Sequence, residues 1–434
     1  MEDTKVLAQD LIDFIDESPS PYHVIENAKE LLDKNGFEHL CTGEKWDIKK
    51  GGKYYVTKND SALFAFVPGT GAIEEDGFKI VSAHTDSPTF RIKPKAEMTV
   101  EGKYLKLNTE VYGGPILYTW FDRPLSLAGR VFLKSDNILK PECRLIKFDR
   151  PILFIPHLAY HFNRAVNDKG NPLSKQKDML PVVQTINDKF EKDNFLVELI
   201  AKELGVDSKQ IADFDLTLFE FEKGCIMGLN EEFISSGKLD DLAMAYGGLR
   251  ALLSSKECKA TKVLALFDNE ECGSGTKQGA GSPVLKNILV RQNLAQGGSH
   301  EDYFRALEHS FMISADMAHA LHPNYAEKHD PTNHPHMNAG PVIKIHANQK
   351  YITDGQSESV FEMICEKAGV PCQKYVNDSD MLGGSTLGNI LLAQMDIKGV
   401  DIGNPMWGMH SVRETGGVDD QTYVTKAFET FYNL

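Results

Sequence analysis

The chain has 434 residues, 41% hydrophobic and 25% charged, the balance of a water-soluble globular protein with room for two or three domains. A formal net charge of −15 argues against nucleic-acid and anionic-membrane partners, and no run of about 18 apolar residues is present to span a bilayer. Seven scattered cysteines, none in a Cys-x-x-Cys pair, exclude a disulfide framework and a sulfur-rich structural zinc; they fit a reducing, cytoplasmic setting. The acidic start Met1-Glu2-Asp3-Thr4-Lys5 does not read as a secretory signal.

Amphipathic patterning predicts a helix from Thr4 to Glu17 and, after Ser18-Pro19-Ser20-Pro21, a second that stops at Gly36. Lys53 to Val67 reads as a hairpin turning at Asn59-Asp60, and Phe78 to Ala83 as a strand delivering His84 at its end. From about residue 96 the texture becomes β-rich, as in the alternating segment Leu125 to Leu133. A polar stretch from Asn163 to Lys177, a helix near Phe195 to Leu204 and a strand from Phe214 to Phe221 complete that module.

After Ser235-Ser236-Gly237, helix and strand alternate. A helix from Asp240 to Leu253 leads to a strand from Lys262 to Phe267, a Gly-rich loop and a helix near Val284 to Leu294. Strands follow at Phe311 to Ala315, Val342 to His346 and Gln373 to Val376, with helices at Ser357 to Ala368 and Thr386 to Gln394. A last helix starts near Asp419, read as its N-cap. Such alternation predicts an α/β fold: a mostly parallel mixed sheet sandwiched by helices.

Chemistry collects where these elements end. Glu270 and Glu271 follow a buried-type strand, and adjacent residues in extended chain point opposite ways, so one carboxylate could hold a metal while the other acts as general base. An isolated Glu-Glu pair reads as a solvated acidic turn; the other ligand-type residues around this one favour the metal reading. His84-Thr85-Asp86 offers an imidazole with a carboxylate near enough to fix its tautomer, Gly237-Lys238-Leu239-Asp240-Asp241 a carboxylate at a helix start, and Asp316 and His410 two further ligand types. In a doubly wound sheet these ends converge on one crevice, and such ligands suit zinc, manganese or cobalt. The six histidines from His319 to His346 are interrupted by Pro and Asn and read as a structural loop rather than a metal store. The glycines around Gly273 to Gly281 lack a phosphate-loop ending and read as close chain packing.

The chain resembles the aspartyl aminopeptidases, dinuclear zinc exopeptidases, nearly from end to end. The likeness is carried by Ser18-Pro19-Ser20-Pro21-Tyr22-His23, Ala83-His84-Thr85-Asp86-Ser87-Pro88, Tyr118-Thr119-Trp120-Phe121-Asp122-Arg123 and Ile155-Pro156-His157-Leu158-Ala159-Tyr160-His161. It continues through Asp268-Asn269-Glu270-Glu271, Ser314-Ala315-Asp316-Met317-Ala318-His319-Ala320, Gly340-Pro341-Val342-Ile343-Lys344 and Met409-His410-Ser411-Val412-Arg413-Glu414.

The resemblance implies two divalent metal ions per subunit, zinc first, with Mn2+ or Co2+ as alternatives. Asp240 would bridge them, His84 and Asp316 would complete one ion's ligands, and Glu271 with His410 the other's. Glu270 would be the general base, Asp86 would stand behind His84, His161 would reach a neighbouring subunit's active site, and Lys344 would meet an acidic substrate side chain. Gly383 stands where many relatives carry a cysteine, which bears on pocket shape. The implied catalytic domain takes residues 1–95 and 233–434, with 96–232 an inserted β-rich dimerisation domain. The implied assembly is a tetrahedral dodecamer acting on peptides, without nucleic-acid or membrane partners. Two rival readings remain: a dinuclear deacylase or carboxypeptidase, and a catalytically silent peptide-binding cage.

Overall fold

Alternation in the central strands sends successive side chains into two separate cores. In Ala62–Val67, Leu63, Ala65 and Val67 join one apolar cluster while Phe64 and Phe66 join another. Phe78–His84 and Thr261–Phe267 divide in the same way. A sheet that is apolar on both faces must be covered on both. Thr4–Asp16, Pro21–Lys34, Leu239–Ser254, Gly355–Ala368 and Val418–Tyr432 cover the first face; Val284–Ala295, His300–Glu308 and Leu387–Leu392 cover the second.

The computed structural model describes residues 4–187 and 194–434; Met1-Glu2-Asp3, the start of the segment read as a non-signal, lies outside them. The chain divides into two compact units. The first comprises Met1–Ser87, Gly224–Met409 and Glu414–Leu434; the second comprises Pro88–Lys223 and His410–Arg413. The sequence reading set the crossings at 95/96 and 232/233. They fall at 87/88 and 223/224 because Thr89–Val100 is one continuous strand of the second unit, while Cys225–Met227 pairs with Phe233–Ser236 in the first.

In the first unit the large sheet has nine strands among the described residues. Their order is Glu38–His39, Tyr54–Lys58, Ala62–Val67, Thr261–Phe267, Phe78–His84, Phe311–Ala315, Lys398–Gly403, Val342–Ile345 and Gln373–Val376. Thr261–Phe267, Phe78–His84, Phe311–Ala315 and Lys398–Gly403 run parallel as consecutive neighbours. The expected α/β sandwich is therefore present. A smaller sheet of Cys225–Met227, Phe233–Ser236, Glu414–Gly417, Pro405–Trp407 and Ala318–His319 was not anticipated, because strands of two to four residues carry too little pattern to read.

The second unit is an antiparallel sheet in the order Glu142–Lys147, Leu125–Leu133, Ile211–Glu220, Thr89–Val100, Tyr104–Tyr112, Val182–Thr185. Its core gathers Phe90, Trp120, Phe148 and Leu218, with Phe90 and Trp120 edge to face at 5.0 Å.

Three local expectations change. The helix His300–Glu308 was missed, although Ser299 and Asp302 form a reciprocal capping box at its start. The last helix begins at Val418 with Gly417 as N-cap, so Asp419 lies inside its first turn. Glycine suits that cap: a Cβ there would sit 2.3 Å from Asp420 Oδ2. The helix expected over Thr386 to Gln394 is shorter, Leu387–Leu392, with Thr386 as its N-cap.

Candidate metal centre

Parallel register decides where the chemistry gathers. Phe267 pairs with His84 and Ser314 with Ser82, so three adjacent strands release His84, Asp268 and Asp316 at one carboxyl edge. The helix Leu239–Ser254 brings Asp240 and Asp241 before its regular turns begin: their backbone angles (φ −83°, ψ 104° and φ −121°, ψ 21°) are not helical. The peptide bond between them is cis. The N–H of Asp240 donates to a Glu414 carboxylate oxygen at 3.1 Å, and its carbonyl accepts from the Ser87 hydroxyl at 3.0 Å.

His84 is 1% exposed and held from three sides. Its backbone N–H donates to Asp241 Oδ2 at 3.0 Å, its Nδ1 lies 2.9 Å from the Asp86 carbonyl, and its Nε2 lies 3.4 Å from Asp240 Oδ1. Donation from Nδ1 to that carbonyl assigns the remaining nitrogen, Nε2, as the ligand atom. The acceptor closest to Nδ1 is thus the carbonyl of Asp86, not its carboxylate, whose Oδ1 stands at 3.4 Å.

That carboxylate has another task. Asp86 Oδ1 accepts the N–H of Glu270 and Oδ2 the N–H of Glu271, both at 3.1 Å. The two glutamates are not in extended chain as expected. Asn269 takes a left-handed conformation (φ 65°), and Glu270–Cys272 forms a 3-10 turn closed by Ser274 N–H to the Asn269 carbonyl at 2.7 Å. The Asn269 side chain is fixed in turn by Thr276 Oγ1 at 2.8 Å and Gln278 Nε2 at 2.7 Å. Instead of pointing opposite ways, both glutamates offer an oxygen within 4.8 Å of one another and of a His84 ring nitrogen. Ligand-type atoms of His84, Asp240, Asp241 and Asp316 form a second group within the same limit. Asp241 was present in the sequence motif but given no role there; its adjacency to Asp240 was the available signal.

Six carboxyl groups, those of Asp86, Asp240, Asp241, Glu270, Glu271 and Asp316, thus gather around one imidazole. The ammonium ion-paired with them is that of Lys344, 4% exposed, with Nζ 3.4 Å from Asp316 Oδ1 and 5.8 Å from the Tyr351 ring centre. Burial pushes Asp241 well above the usual carboxylate range, against the pull of His84 and with help from Asp316 and Asp240. Burial opposes charge on His84, but Asp241, Asp240 and Asp86 outweigh it and hold the imidazole well above its ordinary value. Burial also lifts Glu270 to about 8, with His84 opposing and Asp316, Glu271 and Asp86 adding. Apart from burial, the neighbouring carboxylates act in one direction on all three groups, toward added positive charge. Asp241 Oδ1, fully buried and lacking a hydrogen-bond partner among the described residues, points the same way. The donor set of imidazole and carboxylate oxygen fits zinc or manganese.

His410 packs with the second unit, with φ 70° and its Nδ1 3.1 Å from the Gly114 carbonyl. His161 is exposed in the 3-10 turn Tyr160–Phe162 of that unit. Within the histidine-rich loop, His322 N–H donates to His329 Nε2 at 3.1 Å and His334 Nδ1 meets the Asp330 carbonyl at 2.8 Å. Among the described residues no metal-type cluster forms there. Gly279 and Gly281 pack on the Ser274 carbonyl, where a Cβ would lie at 2.4 and 2.8 Å, so the glycine-rich loop is close packing beside the centre.

The family profile describing aminopeptidase I zinc metalloproteases (M18) matches residues 14–432. The chain belongs to the M18 family. It is 57% identical over 427 residues to a probable M18 family aminopeptidase 2 of Clostridium novyi, covering 98% of each chain. Among solved structures, Ape4 in complex with Nbr1 superposes with a TM-score of 0.94 at 36% identity, covering 99% of this chain and 86% of that one. The S. cerevisiae mApe1 dodecamer gives 0.84 at 27% identity, covering 98% and 96%. Membership makes this M18 chain a metal-dependent aminopeptidase, in agreement with the resemblance read from its motifs. No helix of the described residues is long and apolar enough to cross a membrane.

Proposed function

We propose that this aminopeptidase removes the first residue of peptides, preferring Asp or Glu, with two divalent cations, zinc foremost. His84 and Asp316 would hold one ion, and Glu271 the other, with Asp240 between them. His410 is assigned to the second ion on its sequence motif. The observation that carries this reading is the Asp86 carboxylate, which takes the N–H of Glu270 and of Glu271 at 3.1 Å each. One buried group thereby sets a base and a ligand together.

The ions, when bound, supply Lewis acidity toward water and the scissile carbonyl. The protein's own part is proton handling and placement. Glu270, lifted toward neutrality by burial, takes a proton from the attacking water and returns it to the departing amine. Donation from His84 Nδ1 to the Asp86 carbonyl turns Nε2 toward the carboxylates, as the ring atom that would meet an ion. Lys344, dry and on a strand end beside Asp316, is placed to meet an acidic side chain.

The second unit supports assembly into a homo-oligomer, a dodecamer by analogy with the mApe1 assembly. Leu158, Tyr160 and Phe162 are 53, 55 and 81% exposed, an apolar run that a partner copy would cover. His161 lies within it and is proposed to serve a neighbour's site. Seven free thiols suit a cytoplasmic location.

A panel of X-Ala dipeptides, measured with metal content and a chelator arm, tests the reading. Asp-Ala and Glu-Ala should exceed Leu-Ala in kcat/KM, two ions should be found per chain, and N-acetyl-Asp-Ala should be inert. Equal turnover of acidic and neutral first residues would refute the Lys344 assignment; one ion per chain would refute the dinuclear centre.

A further inference from the structure

Asp401 is fully buried on Lys398–Gly403, yet no step above uses it. Asp401 ties two other segments to its strand. Oδ2 accepts the N–H of Ile352 at 2.6 Å, and Oδ1 accepts the hydroxyl of Thr386 at 2.7 Å. Its backbone N–H donates to Thr353 Oγ1 at 3.0 Å. Gly388, on the helix that Thr386 caps, leaves the space the carboxylate fills: a Cβ there would stand 2.7 Å from both oxygens.

The strand register ties this point to the metal centre. Val342 pairs with Gly403 and Ile343 with Ile402, which brings Lys344, the next residue, near Asp401, the residue before Ile402. Lys344 is ion-paired with Asp316, and the charges of Asp316 and Asp401 both act on it favourably. Thr386 ends the loop 377–386, whose Gly383 is close enough for a Cβ to reach 3.4 Å from His346 Cδ2, just past the strand that bears Lys344. Met381 and Leu382, 49 and 101% exposed, show that the loop has no apolar anchor at its tip. Its seat is Thr386.

We propose that Asp401 is a positioning residue: through Thr386 it seats the 377–386 loop beside Lys344, and so governs how tightly the substrate's first residue is held. The proposal rests on Lys344 as the contact for that residue. A hydroxyl hydrogen bond to a buried carboxylate is short and strong, and its loss leaves an acceptor without its donor.

Steady-state kinetics on Asp-Ala and Leu-Ala, with metal content, test it in the purified full-length enzyme. Thr386→Val should raise KM about tenfold on the better substrate, with kcat within about twofold and metal retained. Thr386→Ser should restore KM to within about twofold, and Ser385→Ala, one residue away and exposed, should leave it there. An unmoved KM in folded Thr386→Val, or an equal rise in Ser385→Ala, overturns the proposal; loss of metal in Thr386→Val overturns it too. If Thr386→Val is insoluble, Gly388→Ala, which displaces the carboxylate, must reproduce the KM rise or the proposal fails. The two readings separate cleanly. A wild type without acidic preference but with the KM rise in Thr386→Val sinks the Lys344 role alone. A clear acidic preference with unmoved KM sinks the Asp401 role alone.

Discussion

The two units treat their chemistry-bearing side chains in opposite ways. The first buries them: His84, Asp86, Asp240 and Asp241 are all 3% exposed or less. The second leaves His161 in solvent, in a run with Leu158, Tyr160 and Phe162. Burying so many carboxyl groups together is costly unless a compensating charge arrives, so the first unit is built around something it binds. Exposing apolar side chains beside a histidine is a cost of another kind, one that a second copy of the chain would relieve. One unit is proposed to be completed by ions, the other by a neighbour.

The largest expected effect breaks the first half of that comparison. Glu270→Gln keeps the turn, because the Asp86 carboxylate grips backbone N–H groups and not the side chain. Removing the base alone should lower kcat by about 10²–10⁴-fold, with metal content at the wild-type level. If the ions leave with the activity, Glu270 is a ligand and the division of labour between the two glutamates is wrong.

A second test addresses the other half. His161→Ala removes an exposed side chain, so stability should change by less than about 0.5 kcal/mol, while activity should fall about 10–100-fold if the imidazole steadies a charge in the transition state. Protomers carrying His161→Ala, mixed with protomers carrying Asp240→Ala, should regain activity, since some sites then combine an intact centre with an intact histidine. Verified mixed oligomers that stay inactive would leave His161 a surface residue.

Much of this was legible before the structure. The strand ending in His84, the one preceding Glu270 and the one preceding Asp316 all read from runs of apolar β-type residues, because a strand buried on both faces announces itself that way. What escaped was set by long-range pairing. The unit boundary at 87/88 depends on how Thr89–Val100 pairs within the second sheet, and the five-stranded sheet joins segments as far apart as Phe233 and Gly417. The task of the Asp86 carboxylate was hidden for a related reason. Its partners, Glu270 and Glu271, are more than 180 residues away, so only folding brings a carboxylate under their N–H groups. Asp401 carried no local motif at all; its partners Ile352, Thr386 and Lys344 come from three separate segments.

The smallest expected effect asks whether buried carboxyl groups outside the centre behave like those within it. Asp420 is 1% exposed in the first turn of Val418–Tyr432 and accepts the N–H of Asn338 at 2.6 Å and of Gly340 at 2.9 Å. Burial nevertheless lifts it to about 7, with backbone N–H groups opposing and Asp419 adding. Its unfolded value is near 3.9, so the folded state holds a proton between about pH 4 and pH 7 that the unfolded chain has already released. The stabilisation is fully present below about pH 4 and is lost as pH rises through 7, worth at most roughly 4 kcal/mol. Asp420→Asn removes the titration while keeping an acceptor oxygen. Relative to wild type, its unfolding free energy should therefore improve steadily from pH 5 to pH 8, by about 1–3 kcal/mol, with activity unchanged. Linkage through the metal centre is common to both proteins and cancels in the difference. A difference that stays flat with pH would mean that the N–H groups keep Asp420 ionised throughout. Burial would then raise carboxyl groups only where they crowd one another, and the contrast between the two units would narrow to the centre itself.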